Sequence, residues 1–246
     1  MMNDTSSEIT SLNQNLERII DRYRDSEGKL NYFALMADRL MVEYAETLAD
    51  FDLSTLKTRE ARLAFWINSY NSLSIYGVVK KLRKDLGFAE RGNKSWLGRV
   101  RFFAFQKFKV GGKMYTLRNI EKLVRNDFKD PRVHFALNCS SLGCPILKDG
   151  LYSEENIENE LDAATKLYLS SPEGLRLDKD HGTLYVSMIF KWYKDDFKRS
   201  GKTFIDFIHD YAPEHIRDFL DEKEGKLRVK NIEYDWGLNV SEQVEN

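Results

Sequence analysis

The stretch "DPRVHFALNCSSLGCPIL", Asp130 to Leu147, holds both cysteines of the chain and one of its four histidines. The spacing is His-x4-Cys-x4-Cys, from His134 through Cys139 to Cys144. A thiolate forms near neutral pH only beside a cation or a good donor. Imidazole is the usual partner, and an amide or carboxylate orients the imidazole. One reading is therefore a cysteine-dependent hydrolase or acyl-transfer enzyme. Cys139 or Cys144 would attack, His134 would act as base, and Asn68 or Asn71 would orient a group or steady an oxyanion. The plain alternative is a packed strand and turn with two buried thiols and a hydrogen-bonded core histidine. A zinc site is the weaker reading, because the segment lacks paired Cys-x2-Cys spacing and a fourth ligand. A redox pair departs from Cys-x-x-Cys spacing. The residues require neither metal nor cofactor.

These residues need elements to position them. "RVHFALN", 132–138, reads as a short strand bounded by Pro131 and the turn-like "SSLGCP". Strand alternation would set His134, Ala136 and Asn138 on one face and Val133, Phe135 and Leu137 on the other. "REARLAFWINSYNSLSIYGVVKKL" predicts a buried helix, capped at Ser54 or Thr58. On it Asn68, Asn71 and Ser72 fall at i, i+3 and i+4, on one face. A buried amide without a partner costs roughly 1–3 kcal/mol, so this stripe must meet a neighbouring backbone or a wet cleft. "FKWYKDDFKRS" predicts a helix with Trp192 and Asp196 at i, i+4.

The remaining segments frame these. Periodicity predicts helices over 7–25, 31–51 and 153–170, the last capped by Ser153. "RFFAFQKFKVGGKMYTL" reads as a hairpin around Gly111 and Gly112, and Thr116 opens a helix to Phe128. Two strands flank "DKDHG", and "YDWGLN" is a candidate C-terminal latch through Asp235 and Trp236. His181, His209 and His215 read as solvated. The fold class is α+β: a single domain of many helices around a small, mostly antiparallel sheet. Residues 1–28 are expected to be an N-terminal helical extension and 29–240 the domain itself.

Composition limits the function classes. In 246 residues there are two cysteines, so no disulfide framework is expected and a reducing, cytoplasmic setting is the simplest reading. No leader-like segment and no apolar run of spanning length is visible, so no membrane partner is expected. The net charge of −1 conceals a belt from Lys80 to Arg132 with 16 Lys and Arg against five Asp and Glu. Such a belt fits an acidic protein or a small anionic ligand. Single-stranded nucleic acid on the aromatic, basic stretch 99–113 is the weaker reading.

"ARLAFWINSYNSLSIYGVV", "DPRVHFALNCSSLGCPIL", "FKWYKDDF" and "YDWGLN", in that order, resemble the DUF547 family over roughly Leu30 to Asn239. The resemblance carries Trp66, Asn68 and Asn71 from the first motif, and His134, Asn138, Cys139 and Cys144 from the second. It adds Trp192, Tyr193 and Asp196 from the third, and Asp235 and Trp236 from the last. It implies no reaction, since that family's function is unassigned, but it implies that these segments converge. Trp66, Asn71, Asn138, Trp192 and Asp196 are then the expected substrate-binding set around His134, Cys139, Cys144 and Asn68. Some members look like parts of larger proteins with glutaredoxin or DEP-type modules, which fits thiol chemistry or signalling. A helix beside a histidine-bearing strand is also distantly similar to papain and transglutaminase-type enzymes, although no cysteine opens the 60–82 helix here. The rival function is a non-catalytic interaction or scaffold domain whose basic belt meets an acidic partner.

Overall fold

A computed structural model of the chain describes residues 5–222 and 227–241. Helices α1 (Thr5–Tyr23), α2 (Tyr32–Ala37), α3 (Leu40–Asp50) and α4 (Arg59–Leu82) come first. The short helices α5 (Phe88–Arg91) and α6 (Trp96–Val100) lead into a hairpin, β1 (Lys107–Val110) and β2 (Lys113–Thr116). Then come α7 (Leu117–Leu123), α8 (Ile157–Leu169), β3 (Leu175–Asp178) and β4 (Thr183–Val186). The chain finishes with α9 (Met188–Trp192), α10 (Lys194–Arg199), α11 (Phe204–Tyr211), α12 (Glu214–Glu222) and β5 (Arg228–Asn231). β3 pairs antiparallel with β4, and β4 pairs parallel with β5. The architecture is one α+β domain, helix-rich with two small sheets.

α4 organises the larger core. Thr58 caps it, its side chain accepting the Ala61 N–H at 3.0 Å. Lys80 and Lys81 in its last turn suit the negative end of the dipole. Almost every residue between is buried, so α2, α3 and α7 pack around it rather than on one face. Leu12, Leu16, Ile19 and Ile20 of α1 join the same core. A second, smaller core gathers Phe135, Phe190, Phe197 and Phe207 beneath β3 and β4.

Several local expectations change. The 132–138 segment is not a strand: Pro131–Phe135 is a 3-10 turn. Asp130 starts it by accepting the Arg132 N–H at 2.9 Å, with Pro131 supplying the first-turn φ. The strand-borne histidine of papain-type enzymes is therefore absent. The 31–51 helix breaks at Asp38, whose backbone is extended and whose carboxylate caps Leu40 N–H at 3.0 Å. Hairpin pairing is confined to 107–116, and Arg101–Phe105 forms a π turn continuing α6. "FKWYKDDFKRS" splits at Tyr193 into α9 and α10. α8 starts after Asn156, which makes no side-chain cap bond, and Ser153 lies ahead of the helix with its N–H donating to Glu160 at 2.9 Å.

The polar stripe of α4 is a set of ties. Asn68 exchanges two hydrogen bonds with the Tyr152 backbone, at 2.8 and 3.0 Å. Asn71 donates to Ala136 C=O at 3.0 Å and accepts the Asn138 N–H at 2.7 Å. Ser74 meets Ser140, hydroxyl to hydroxyl, at 3.0 Å. Ser72 instead bonds within the helix, to Ser69 C=O at 3.1 Å. Replacing Asn71 by Leu leaves two buried backbone groups unpaired. The expected loss is ~2–6 kcal/mol, from roughly 1–3 kcal/mol for each orphaned group. Urea unfolding measures it; a midpoint unchanged from wild type would mean that other contacts hold the loop.

Candidate functional site: a histidine and a cysteine pair in one cavity

His134 stands where the two cores meet. Its neighbour Val133 belongs to the larger core and Phe135 to the smaller. The imidazole stacks on Tyr193, centroids 4.0 Å apart, with Phe197 beyond. Its Nε2 lies 2.9 Å from Asp196 Oδ2. The break at Tyr193 makes this possible, since it sets the ring of one helix end and the carboxylate of the next helix on either side of the imidazole. Asp196 is buried and also receives Arg125 Nε at 2.6 Å and pairs with Arg199.

Burial pushes the His134 pKa down to about 3, and Arg125 and Arg199 add to that against the opposing charges of Glu121 and Asp130. The ring is therefore neutral at physiological pH. A carboxylate can only accept, so Nε2 carries the proton and Nδ1 keeps the lone pair. The two guanidinium groups neutralise Asp196, which is why it orients the ring without charging it.

The cysteine loop is closed by Asn138. Its amide donates to Pro145 C=O at 2.7 Å and accepts the Ser140 N–H at 2.8 Å. Cys139 and Cys144, read as separate thiols from the sequence, form a disulfide with Cα atoms 6.2 Å apart. Cys144 Sγ takes two donors, the Cys139 N–H and the Tyr234 hydroxyl, each at 3.0 Å. The same hydroxyl lies 3.3 Å from Cys139 Sγ. Burial raises the Tyr234 pKa well above its ordinary value, so this group remains a donor.

The C-terminal segment presents Tyr234 by lying along the loop. Leu142 N–H donates to Gly237 C=O and Gly143 N–H to Asp235 C=O, both at 2.9 Å. Asn239 N–H returns to Ser140 C=O at 3.0 Å. A side chain at Gly143 would meet the Asp235 nitrogen at 2.9 Å, so the close approach requires glycine.

His134, Cys139 and Cys144 line one cavity of about 810 Å³ with Trp192, Tyr193 and Tyr234. The Trp192 ring lies against Tyr234 and Trp236, with centroids 5.0 and 5.6 Å away. Five predicted site residues do not line it. Trp66 is buried between Phe65 and Tyr115. Asn68 and Asn71 hold backbone from α4, and Asn138 holds the loop. Asp196 acts through His134 rather than on the cavity. Tyr234 and Arg125 escaped the sequence reading; the tyrosine beside "DWG" was the available signal. Among the described residues, no group of three or more His, Cys, Asp and Glu side chains is placed to hold a metal ion. No described helix is long and apolar enough to cross a membrane.

A helix-rich α+β fold with a histidine, its carboxylate and a cysteine pair around one cavity describes the class. Residues 53–169 match the model of a family described as protein of unknown function, DUF547, which supports the resemblance read from the motifs. The match includes α4 and the whole cysteine loop; Trp192, Asp196 and Tyr234 lie beyond it. No curated protein and no solved structure matches the chain.

The depressed His134 pKa has a thermodynamic consequence. The unfolded chain takes up this proton near the ordinary histidine value, 6.5, and the folded chain only near 3. Between those values acid favours the unfolded state, so stability falls as pH falls, by up to about 1.4 kcal/mol per pH unit. From about pH 6.5 to about pH 4.5, His134→Gln should lose ~2 kcal/mol less than wild type by urea unfolding. Parallel losses in the two proteins would place the imidazole in an ordinary environment.

Proposed function

We propose that the cavity is a thiol-dependent catalytic centre for acyl transfer or hydrolysis, competent when the Cys139–Cys144 bond is opened. The observation that carries this reading is the pair of donors on Cys144 Sγ in a cavity that also holds a neutral, carboxylate-oriented imidazole. A thiol reductant supplies two electrons and leaves two cysteine thiols and an oxidised reductant. Donors at a sulfur favour its thiolate, which selects Cys144 over Cys139 as nucleophile. His134 takes the thiol proton through Nδ1 only as a bound ligand's charge stabilises the imidazolium, since burial holds the free ring's pKa near 3. The thiolate attacks the acyl carbon, the leaving group departs with the proton from His134, and water releases the acyl group. Asp196 holds the imidazole tautomer, and Tyr234 steadies sulfur charge.

The sequence's rival, a non-catalytic interaction domain with a basic belt, predicts unreactive thiols and salt-sensitive retention of an acidic partner. One experiment separates the two. Reduced protein is incubated with an aryl thioester and followed by thiol release and intact mass. The catalytic reading expects an acyl adduct on Cys144, retained in Cys139→Ser and lost in Cys144→Ser. His134→Gln should slow turnover ~10²–10⁴-fold. Absence of an adduct, with iodoacetamide reacting no faster than with free cysteine, would favour the interaction domain.

A further inference from the structure

The cavity around His134 has walls of two kinds. Arg118 and Lys122 of α7 and Arg125 of the π turn that continues it, Val124–Phe128, recur at i, i+4 and i+7 and line one side. Phe103, Trp192 and Trp236 line it with apolar aromatic surface, joined by Leu137 and Ile189. The charges on the cationic side are unequal in their commitments. Arg125 is engaged by Asp196 at 2.6 Å and by Glu121 at 3.4 Å, and it lies over the Tyr193 ring. Arg118 and Lys122 are exposed and have no ion pair among the described residues. Glu121 is the one acidic side chain lining the cavity, and Arg125 already answers it. Asp196 behind the wall is answered twice, by Arg125 and Arg199. Two positive charges are thus left without a counter-charge at the edge of an aromatic pocket.

We infer that this cavity binds an anionic ligand with an apolar body: a carboxylate at Arg118 and Lys122, and a ring or short chain against Trp192, Trp236 and Phe103. The inference rests on the catalytic reading only in making that ligand the acyl substrate; binding itself needs neither sulfur. A charged head at the two cations and an apolar tail inside place the middle of such a molecule toward His134 and Cys144. It also gives the basic belt a local purpose, since a small ligand needs two of its cations and not the whole field.

The test is binding to the full chain carrying Cys139→Ser and Cys144→Ser together, which removes all thiol chemistry. Calorimetry compares 4-phenylbutyrate with its uncharged amide, two probes of one shape. The carboxylate should bind about tenfold more tightly than the amide. Raising salt from about 0.05 M to about 0.5 M should shrink that preference. Arg118→Gln with Lys122→Gln should abolish it and leave amide binding unchanged. Lys129→Gln, an exposed cation of the same belt outside the cavity, should leave it intact. Equal affinities for the two probes overturn the inference, as does a preference that survives loss of Arg118 and Lys122. A preference lost equally in Lys129→Gln overturns it too, since the field of the whole belt would then explain it. Failure of the thioester reaction with this preference present would overturn the catalytic reading alone.

Discussion

The reciprocal amide bonds of Asn71 with the backbone at Ala136 and Asn138 are the constraint on which the site depends. An irregular segment buried against a helix must find partners for its N–H and C=O groups, and among the described residues no strand runs beside this one to provide them. Asn71 substitutes for a strand, offering one donor and one acceptor in a plane. Asn68 does the same for Tyr152, and Ser74 reaches Ser140. Three polar side chains on an otherwise apolar helix thus fix two loops. With 136–140 held, Asn138 can close the cysteine loop and the C-terminal segment can pair along its outer side.

The second constraint is charge. A buried carboxylate is tolerable only when its charge is answered, and Asp196 is answered by two arginines from different helices. That arrangement lets a neutral imidazole sit beside an ionised carboxylate. Burial does most to keep the ring neutral, and Arg125 and Arg199 add to it. The seam between the two cores suits such a cluster. Side chains there are shielded from water by both cores yet still border a cavity, so polar groups can be ordered without being sealed in hydrocarbon.

Legibility of the sequence followed the range of the interactions. α4, the hairpin at Gly111–Gly112 and the Thr116 cap depend on contacts within a few residues, and all three read correctly. His134, the cysteines and Asp196 stood out by residue type. The 132–138 segment misled because its apolar alternation matches a strand, while the capping carboxylate of Asp130 and the amide of Asn71 turn it into a 3-10 bend. Asn68 and Asn71 looked like catalytic amides because a polar group on a buried helix demands a partner. The demand was real, and distant backbone met it.

Taken alone, the sequence determined which groups the chain owns: one histidine among small and apolar residues, two nearby sulfurs, a polar stripe on the most buried helix, and a run of cations. It also determined the helices whose caps and periodicity are local. Only the tertiary structure decided how those groups combine. Joining Cys139 to Cys144, setting Tyr234 against both sulfurs and bringing His134 and Arg125 to Asp196 each needs groups that strand spacing or helix periodicity does not place together. Such meetings are fixed by core packing and by the pairing of buried polar groups across the fold, and no run of neighbouring residues encodes them.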